Sequence, residues 1–194
     1  IMTAKEVLYF VRENLRDTKQ PYRFSDELLL GFLNQEQNHI SHLFNLPISV
    51  HRQDITPQNS DIILPSVALK ILKALCNNQP LAINTLQSLK PHDISLIFID
   101  LQVYQLSKKI SGFIEIFYVP STPNTIDSTL ALSDIFLDLL TYHICKRATS
   151  IETNTNNLQR VQFYDSLIKG EEDRLAKIIS SINSNKILTP YRKV

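Results

Sequence analysis

Glycine is scarce in this chain of 194 residues: Gly31, Gly112 and Gly170 are all there are. A phosphate-cradling loop or dinucleotide fingerprint needs several glycines within a few positions, because only they let backbone amides approach a phosphate closely. The spacing here excludes both. A nucleophile elbow needs glycines flanking its serine, and that signature is missing too. A Ser–His–acid triad assembled by the fold alone stays open at this level. Cysteine is nearly as rare. Cys76 and Cys145 stand far apart, form no metal-ligand spacing and read as free thiols of a reducing compartment. Excess charge of one sign is also lacking. The formal net charge of +1 argues against nucleic-acid binding over the whole surface and leaves room only for a local basic patch. No apolar run approaches the ~20 residues of a membrane span. No basic start followed by an apolar stretch marks a signal peptide, so the cytosol is the expected compartment.

What the chain does have is enough apolar residues, 43%, for a real core, and a clear order of segments. Thr3 and Glu6 form a candidate capping box, and Val7, Leu8, Val11 and Leu15 recur at helical spacing, predicting a helix from Ala4 to Arg16. A polar connector, 17–21, follows. Ser25 is the candidate N-cap of a second helix, with Asp26 and Glu27 in its first turn, Leu29, Leu33 and Ile40 on one face, and Pro47 as its stop. The short connection predicts antiparallel packing of the two. Prolines then punctuate 48–130. Here 67–71 alternates and Asn77-Asn78 offers a hairpin turn, although Leu69, Leu72 and Cys76 also suit a helix. "SLIFID" and "GFIEIFYVP" are the clearest strands, and Thr85–Leu89 reads as a short helix. From Leu132 helix returns, capped by Ser133 and apolar on most sides. A final helix over 153–184 carries Val161, Tyr164, Ile168, Leu175, Ile178 and Ile182 at a 3–4 spacing.

The fold class expected from this order is α+β and mainly α: a helical bundle, built from an N-terminal helix pair and two long C-terminal helices, with a β-rich insert and an extended C-terminal tail. One domain, 1–185, is expected, divided into the helix pair 1–47, the insert 48–130 and the C-terminal helices 131–185, followed by the tail 186–194.

Candidate chemistry is thin. His39 and His42, three apart on a helix, lack an accompanying Cys, Asp or Glu at ligand spacing and read as a helix face rather than a metal site. His143 and Cys145 lie in the most apolar helix and read as packing. Glu171, Glu172 and Asp173 read as a solvated face. In the tail, Lys186, Arg192 and Lys193 give a weak phosphate footprint. Ile187, Leu188 and Tyr191, with Arg192, fit better as anchors that dock into a partner's groove; an idle terminus is the other reading.

The stretch "LRDTKQPYRFSDELLLGFLNQEQ" resembles the start of tailed-phage head-to-tail adaptor (connector) proteins. The matching residues are Leu15, Asp17, Thr18, Tyr22, Arg23, Phe24, Ser25, Asp26, Leu29, Leu33, Asn34 and Gln37. "LALSDIFLDLLTYHICKRAT" is similar to that family's Leu-Pro-Asp-aromatic helix, with Ser133 where proline is common. In "NNLQRVQFYDSLI", Asn156, Gln162, Tyr164 and Leu167 fit the helix after it. The resemblance implies a virion structural protein without catalysis, cofactor or metal. Copies would be assembled in the host cytoplasm into a ring, commonly of twelve, in the virion neck. The ring would sit below the portal protein, pass DNA through its lumen without sequence-specific binding, and receive a stopper or tail protein below; no membrane is involved. The C-terminal segment would reach up to the portal. Asp17, Tyr22, Arg23, Ser25, Asp26 and Asn34 would form a structural turn, with Asp17 or Asp26 holding Arg23. Two other readings of the residues remain: a cytosolic helical protein-interaction module, and a small nucleic-acid-binding protein.

Overall fold

The computed structural model describes residues 2–84, 94–152 and 157–185, the last three by their backbone only. The helix expected at 85–89 and the tail, with Ile187, Leu188, Tyr191 and Arg192, lie outside the described residues. Four α-helices are described, α1 (Ala4–Leu15), α2 (Asp26–Phe44), α3 (Leu137–Ser150) and α4 (Asn157–Asn185), together with two four-stranded sheets. The chain forms two compact units, one from Ile1–Gln37 with Asn124–Val194 and one from Asn38–Pro123.

The expectation of a mainly α helical bundle with two long C-terminal helices is therefore wrong: the fold mixes α-helices with two full sheets. Only α4 is long, at 29 residues. α3 has 14 and is preceded by a 3-10 turn at Asp134–Phe136. The strand content is hidden in the sequence for a physical reason. β1 (Ser49–Ile55) alternates half-buried and exposed positions, but its half-buried side chains are Ser49, His51, Arg52's neighbour Gln53 and finally buried Ile55. The period of two is present without the apolar alternation that reveals it.

In the first unit, Thr3 caps α1 as its sequence predicts. Its hydroxyl accepts from Glu6 N, and the Glu6 carboxylate accepts from Thr3 N at 2.8 Å. Those bonds hold the Glu6 carboxyl below its ordinary pKa. Val7, Leu8, Val11 and Leu15 are buried. α1 packs chiefly on α3, and α3 on α4; the main partner of α1 is thus α3 rather than the expected α2. α3 is buried through Leu139, Leu140, Ile144, Cys145 and Ala148, and α4 through Tyr164, Ile168 and Leu175. Ile182, assigned to the same seam from its spacing, is exposed.

In the second unit, one antiparallel sheet has the order β1–β8–β3–β4, with β3 at Ala68–Cys76, β4 at Gln79–Pro80 and β8 at Gly112–Pro120. The other has the order β2–β7–β6–β5, with β2 at Asp61–Ile63, β5 at Ala82–Asn84, β6 at Ser95–Phe98 and β7 at Val103–Leu106; β5 and β6 run parallel. Ile114, Ile116 and Tyr118 of β8 share a core with Ala74 and Cys76 of β3, Ile62 of β2, Leu96 of β6, and Tyr104 and Leu106 of β7. Both sheets feed that core, the arrangement of a β-sandwich. On the other face of β8, Glu115 accepts from Arg52 of β1 at 2.8 Å across the strand pair.

The β3–β4 hairpin confirms the turn read at Asn77-Asn78. Cys76 pairs with Gln79, and the two asparagines have φ of 47° and 66°. Two consecutive positive φ values match the right-handed twist of the strands, and asparagine tolerates them better than other side chains do. Asn77 also accepts from Phe113 N at 2.8 Å, and a Cβ at Gly112 would lie 2.6 Å from its amide. A side chain at Gly112 would thus have to displace the Asn77 amide from this bond. Replacing Asn78 by Val is expected to cost about 1–2 kcal/mol, from forcing a β-branched residue to positive φ. Asn78→Gly is expected to stay within about 0.5 kcal/mol of the parent. Urea unfolding of the two variants measures the difference.

Candidate functional site

Several residues of the opening stretch that carries the resemblance, Asp17, Tyr22, Arg23, Phe24 and Asp26, meet at one turn, and a residue outside the resemblance organises it. Arg12, in the last turn of α1, is 7% exposed. A buried guanidinium is tolerated only when its donors are met. Arg12 Nη1 donates to Asp17 Oδ2 at 2.7 Å, and Nη2 donates to the Phe24 carbonyl at 3.0 Å and to Asp26 Oδ1 at 2.5 Å. The Tyr22 ring covers it, 3.8 Å from guanidinium carbon to centroid, a cation–π contact. Asp17 is itself buried and accepts from Arg23 N at 2.7 Å and Phe24 N at 3.2 Å. α1 delivers Asp17 to that position by ending on Arg16 with φ 55°, so that Asp17 N reaches back to the Arg12 carbonyl. Ser25 then caps α2 through Leu28 N at 3.2 Å.

The pairing expected for Arg23 is corrected by this geometry. Its backbone N–H donates to Asp17, but its side chain donates to the Leu15 carbonyl at 2.9 Å and pairs with Glu152 at 3.0 Å. The guanidinium that pairs with Asp17 and Asp26, either of which was expected to hold Arg23, is that of Arg12. The sequence did contain a sign. Arg12 directly follows Val11 in the buried stripe Val7, Leu8, Val11, Leu15, where an arginine needs a partner.

Asn34 belongs to a second group. Its Oδ1 accepts from Asn124 N at 2.7 Å and from Asn124 Nδ2 at 3.0 Å, and its Nδ2 donates to the Asn124 carbonyl at 3.2 Å. Gln37 accepts from Asn124 Nδ2 at 3.2 Å. Further along α2, Asn38 exchanges bonds with the Ser121 hydroxyl at 3.0 and 3.3 Å. The amide face of α2 therefore satisfies a returning chain segment that belongs to neither helix nor strand, a use of side chains that buried backbone requires.

A third group surrounds Glu36, which is 4% exposed. His143 Nδ1 lies 3.1 Å from its Oε2, and Arg147 donates to its Oε1 and, at 2.6 Å, to Gln35. Glu172 lies 3.8 Å from the other ring nitrogen of His143. Burial pushes the Glu36 pKa up, but the bonds from His143 and Arg147 outweigh it, and the carboxyl titrates below its ordinary 4.5. Sequence inspection missed the group, though Glu36 lies seven residues after Leu29 and four before Ile40, inside the apolar stripe. His143 is partnered rather than simply packed. Its neighbour Cys145 is fully buried, with Sγ 3.8 Å from the Val11 carbonyl. Burial pushes that thiol up to about 12 and the Tyr164 hydroxyl beside it up to about 12. Burial also raises the Cys76 thiol. His39 and His42 are exposed on α2, and Glu171 pairs with Arg174 at 2.7 Å.

No protein-family model matches this chain, and neither does any curated protein. Among the described residues no helix is long and apolar enough to cross a membrane.

Arg12→Met is expected to cost about 3–5 kcal/mol, because it leaves the Asp17 carboxylate buried without its partner. The Asp26 side chain is 62% exposed, so Asp26→Asn is expected to cost no more than about 1 kcal/mol, and Arg23→Ala a similar amount. Denaturant unfolding of the three separates these outcomes. Glu36, with its folded-state pKa lowered, stabilises the fold at neutral pH. That contribution disappears as pH falls from 4.5 down through the lowered value. The stability gap between the parent and Glu36→Gln should therefore narrow over that range and be flat above it, as measured by unfolding at a series of pH values.

Proposed function

We propose that the chain is a head-to-tail adaptor of a tailed-phage virion, one subunit of a ring below the portal through which DNA passes, with its C-terminal segment docking to the portal. The role is structural and involves no catalysis. The observation that carries this reading, beside the resemblance, is a set of large apolar side chains left open on the helical unit. Leu158 is 68% exposed, Tyr9 61% and Phe163 58%. Large apolar side chains of that kind on α1 and α4 suit an interface, and a closed ring would cover them by setting one patch of each copy against a different patch of the next. The near-neutral charge suits a lumen that must release DNA.

Electron microscopy of the protein mixed with its portal tests the proposal. Rings seated on the portal are the expected result, and Leu158→Asp should reduce the ringed fraction about tenfold, since it desolvates a carboxylate at the interface. A strict monomer that ignores portal would point instead to a cytosolic interaction module. DNA affinity that falls steeply with salt would point to a nucleic-acid-binding protein.

A further inference from the structure

A cavity of about 680 Å³ opens beside the Arg23 turn and is lined by Asn14, Arg16, Arg23, Gln159, Arg160 and Phe163, among others. Three guanidiniums face one space, and the described carboxylate that pairs with them is Glu152, 3.0 Å from Arg23 and 3.2 Å from Arg160. Glu152 has 13% of its side chain exposed. It acts as a strut, holding two arginines side by side while neutralising one charge. Arg23 is pinned a second time by its bond to the Leu15 carbonyl. Among the described residues no carboxylate pairs with Arg16. Three cations against one anion leave an excess of two positive charges, with Arg23 and Arg160 already held in place by Glu152. That is the arrangement in which guanidinium forks accept an oxyanion with little ordering cost.

The surroundings select the kind of oxyanion. α4, which brings Arg160, carries four cations and four carboxylates, while the connector 16–25, which brings Arg16 and Arg23, adds one further cation, Lys19, and one carboxylate, Asp17. The cavity is therefore a short positive island beside a balanced helix. A nucleic-acid backbone, with a charge every few ångströms, needs a basic stripe that continues past a single pocket. One or two carboxylates need only the island. Phe163, 58% exposed at the cavity, adds an aromatic face, and Asn14 and Gln159 add amides able to meet a peptide backbone. Arginine beside an aromatic anchor is the composition of the centre of a protein–protein interface.

We infer that this cavity is a receptor for an acidic segment of another protein chain, one that places an Asp or Glu carboxylate among Arg16, Arg23 and Arg160 and an adjacent apolar side chain on Phe163. The inference does not depend on the adaptor reading, since the geometry belongs to the single chain.

The test uses the full-length protein and three probes: a short blocked peptide with aspartate next to phenylalanine, the same peptide with asparagine, and a single-stranded oligonucleotide. Binding is followed by chemical-shift changes in the Phe163 ring and the arginine side chains. The aspartate peptide should bind, and the asparagine peptide should bind about tenfold or more weakly, the loss expected for one charge-assisted contact. Arg16→Asn keeps a residue that tolerates positive φ and removes an exposed guanidinium, so the fold is retained; it should weaken the aspartate peptide about tenfold. Phe163→Ser should weaken both peptides together. The inference is overturned if the two peptides bind alike, if neither binds, if Arg16→Asn changes nothing, or if the oligonucleotide binds more tightly than the peptide with a salt slope of several phosphates.

Discussion

One buried guanidinium holds the N-terminal half of the helical unit in place. Arg12 sits where α1 would otherwise present an aliphatic residue, and it is accommodated because a carboxylate, a carbonyl and an aromatic ring reach it together. Removing a charge from water costs several kcal/mol unless its partners are in position. The segment from Asp17 to Asp26 therefore has little freedom: Asp17 must be buried, Phe24 must turn its carbonyl inward, and Tyr22 must lie over the guanidinium. The entry angle of α2 follows from those requirements more than from helix propensity. Four of the twelve residues that make the opening stretch resemble an adaptor, Asp17, Tyr22, Phe24 and Asp26, are partners of an arginine that the resemblance does not include.

The same logic of satisfied polar groups runs along α2. A helix with Asn34, Gln37 and Asn38 on one side looks undistinguished as a solvent face. Each of those amides instead answers a backbone or side-chain group of 121–124. Asn34 engages the N–H, the carbonyl and the side chain of Asn124 at once, much as a neighbouring strand would. Between Asn34 and Gln37, Glu36 gathers His143 and Arg147. Polar contacts thus specify the register of the helical unit, while the apolar seams of α1, α3 and α4 supply the burial beneath it.

Much of this organisation was legible in the sequence where one period and one chemistry coincide. The capping box at Thr3, the Ser25 cap, the hairpin at Asn77-Asn78 and the strands at 95–98 and 112–120 each combine a turn or cap residue with a clean hydrophobic pattern. The balance of helix and sheet was not legible. β1 alternates in burial but not in hydrophobicity, since His51 and Gln53 take the half-buried positions. β2, β5 and β7 are three or four residues long, too short to show any period. The Glu36 group was hidden for the opposite reason. A charged residue in an apolar stripe looks like an interruption of the pattern until its partners, more than a hundred residues later in the chain, are folded against it. The arginine cavity likewise draws Arg16 and Arg23 from the connector after α1 and Arg160 from α4, far apart in the chain.

The two cysteines, one in each compact unit, are both buried, and burial raises both thiols, Cys145 to about 12. Only the thiolate reacts with alkylating reagents, so neither sulfur is a target while its surroundings stay closed. Each becomes one as soon as its own unit opens to solvent. The chain therefore carries a chemical clock in the helical unit and another in the sandwich. Rates of alkylation at Cys145 and Cys76, read separately by mass, would report which unit loosens first.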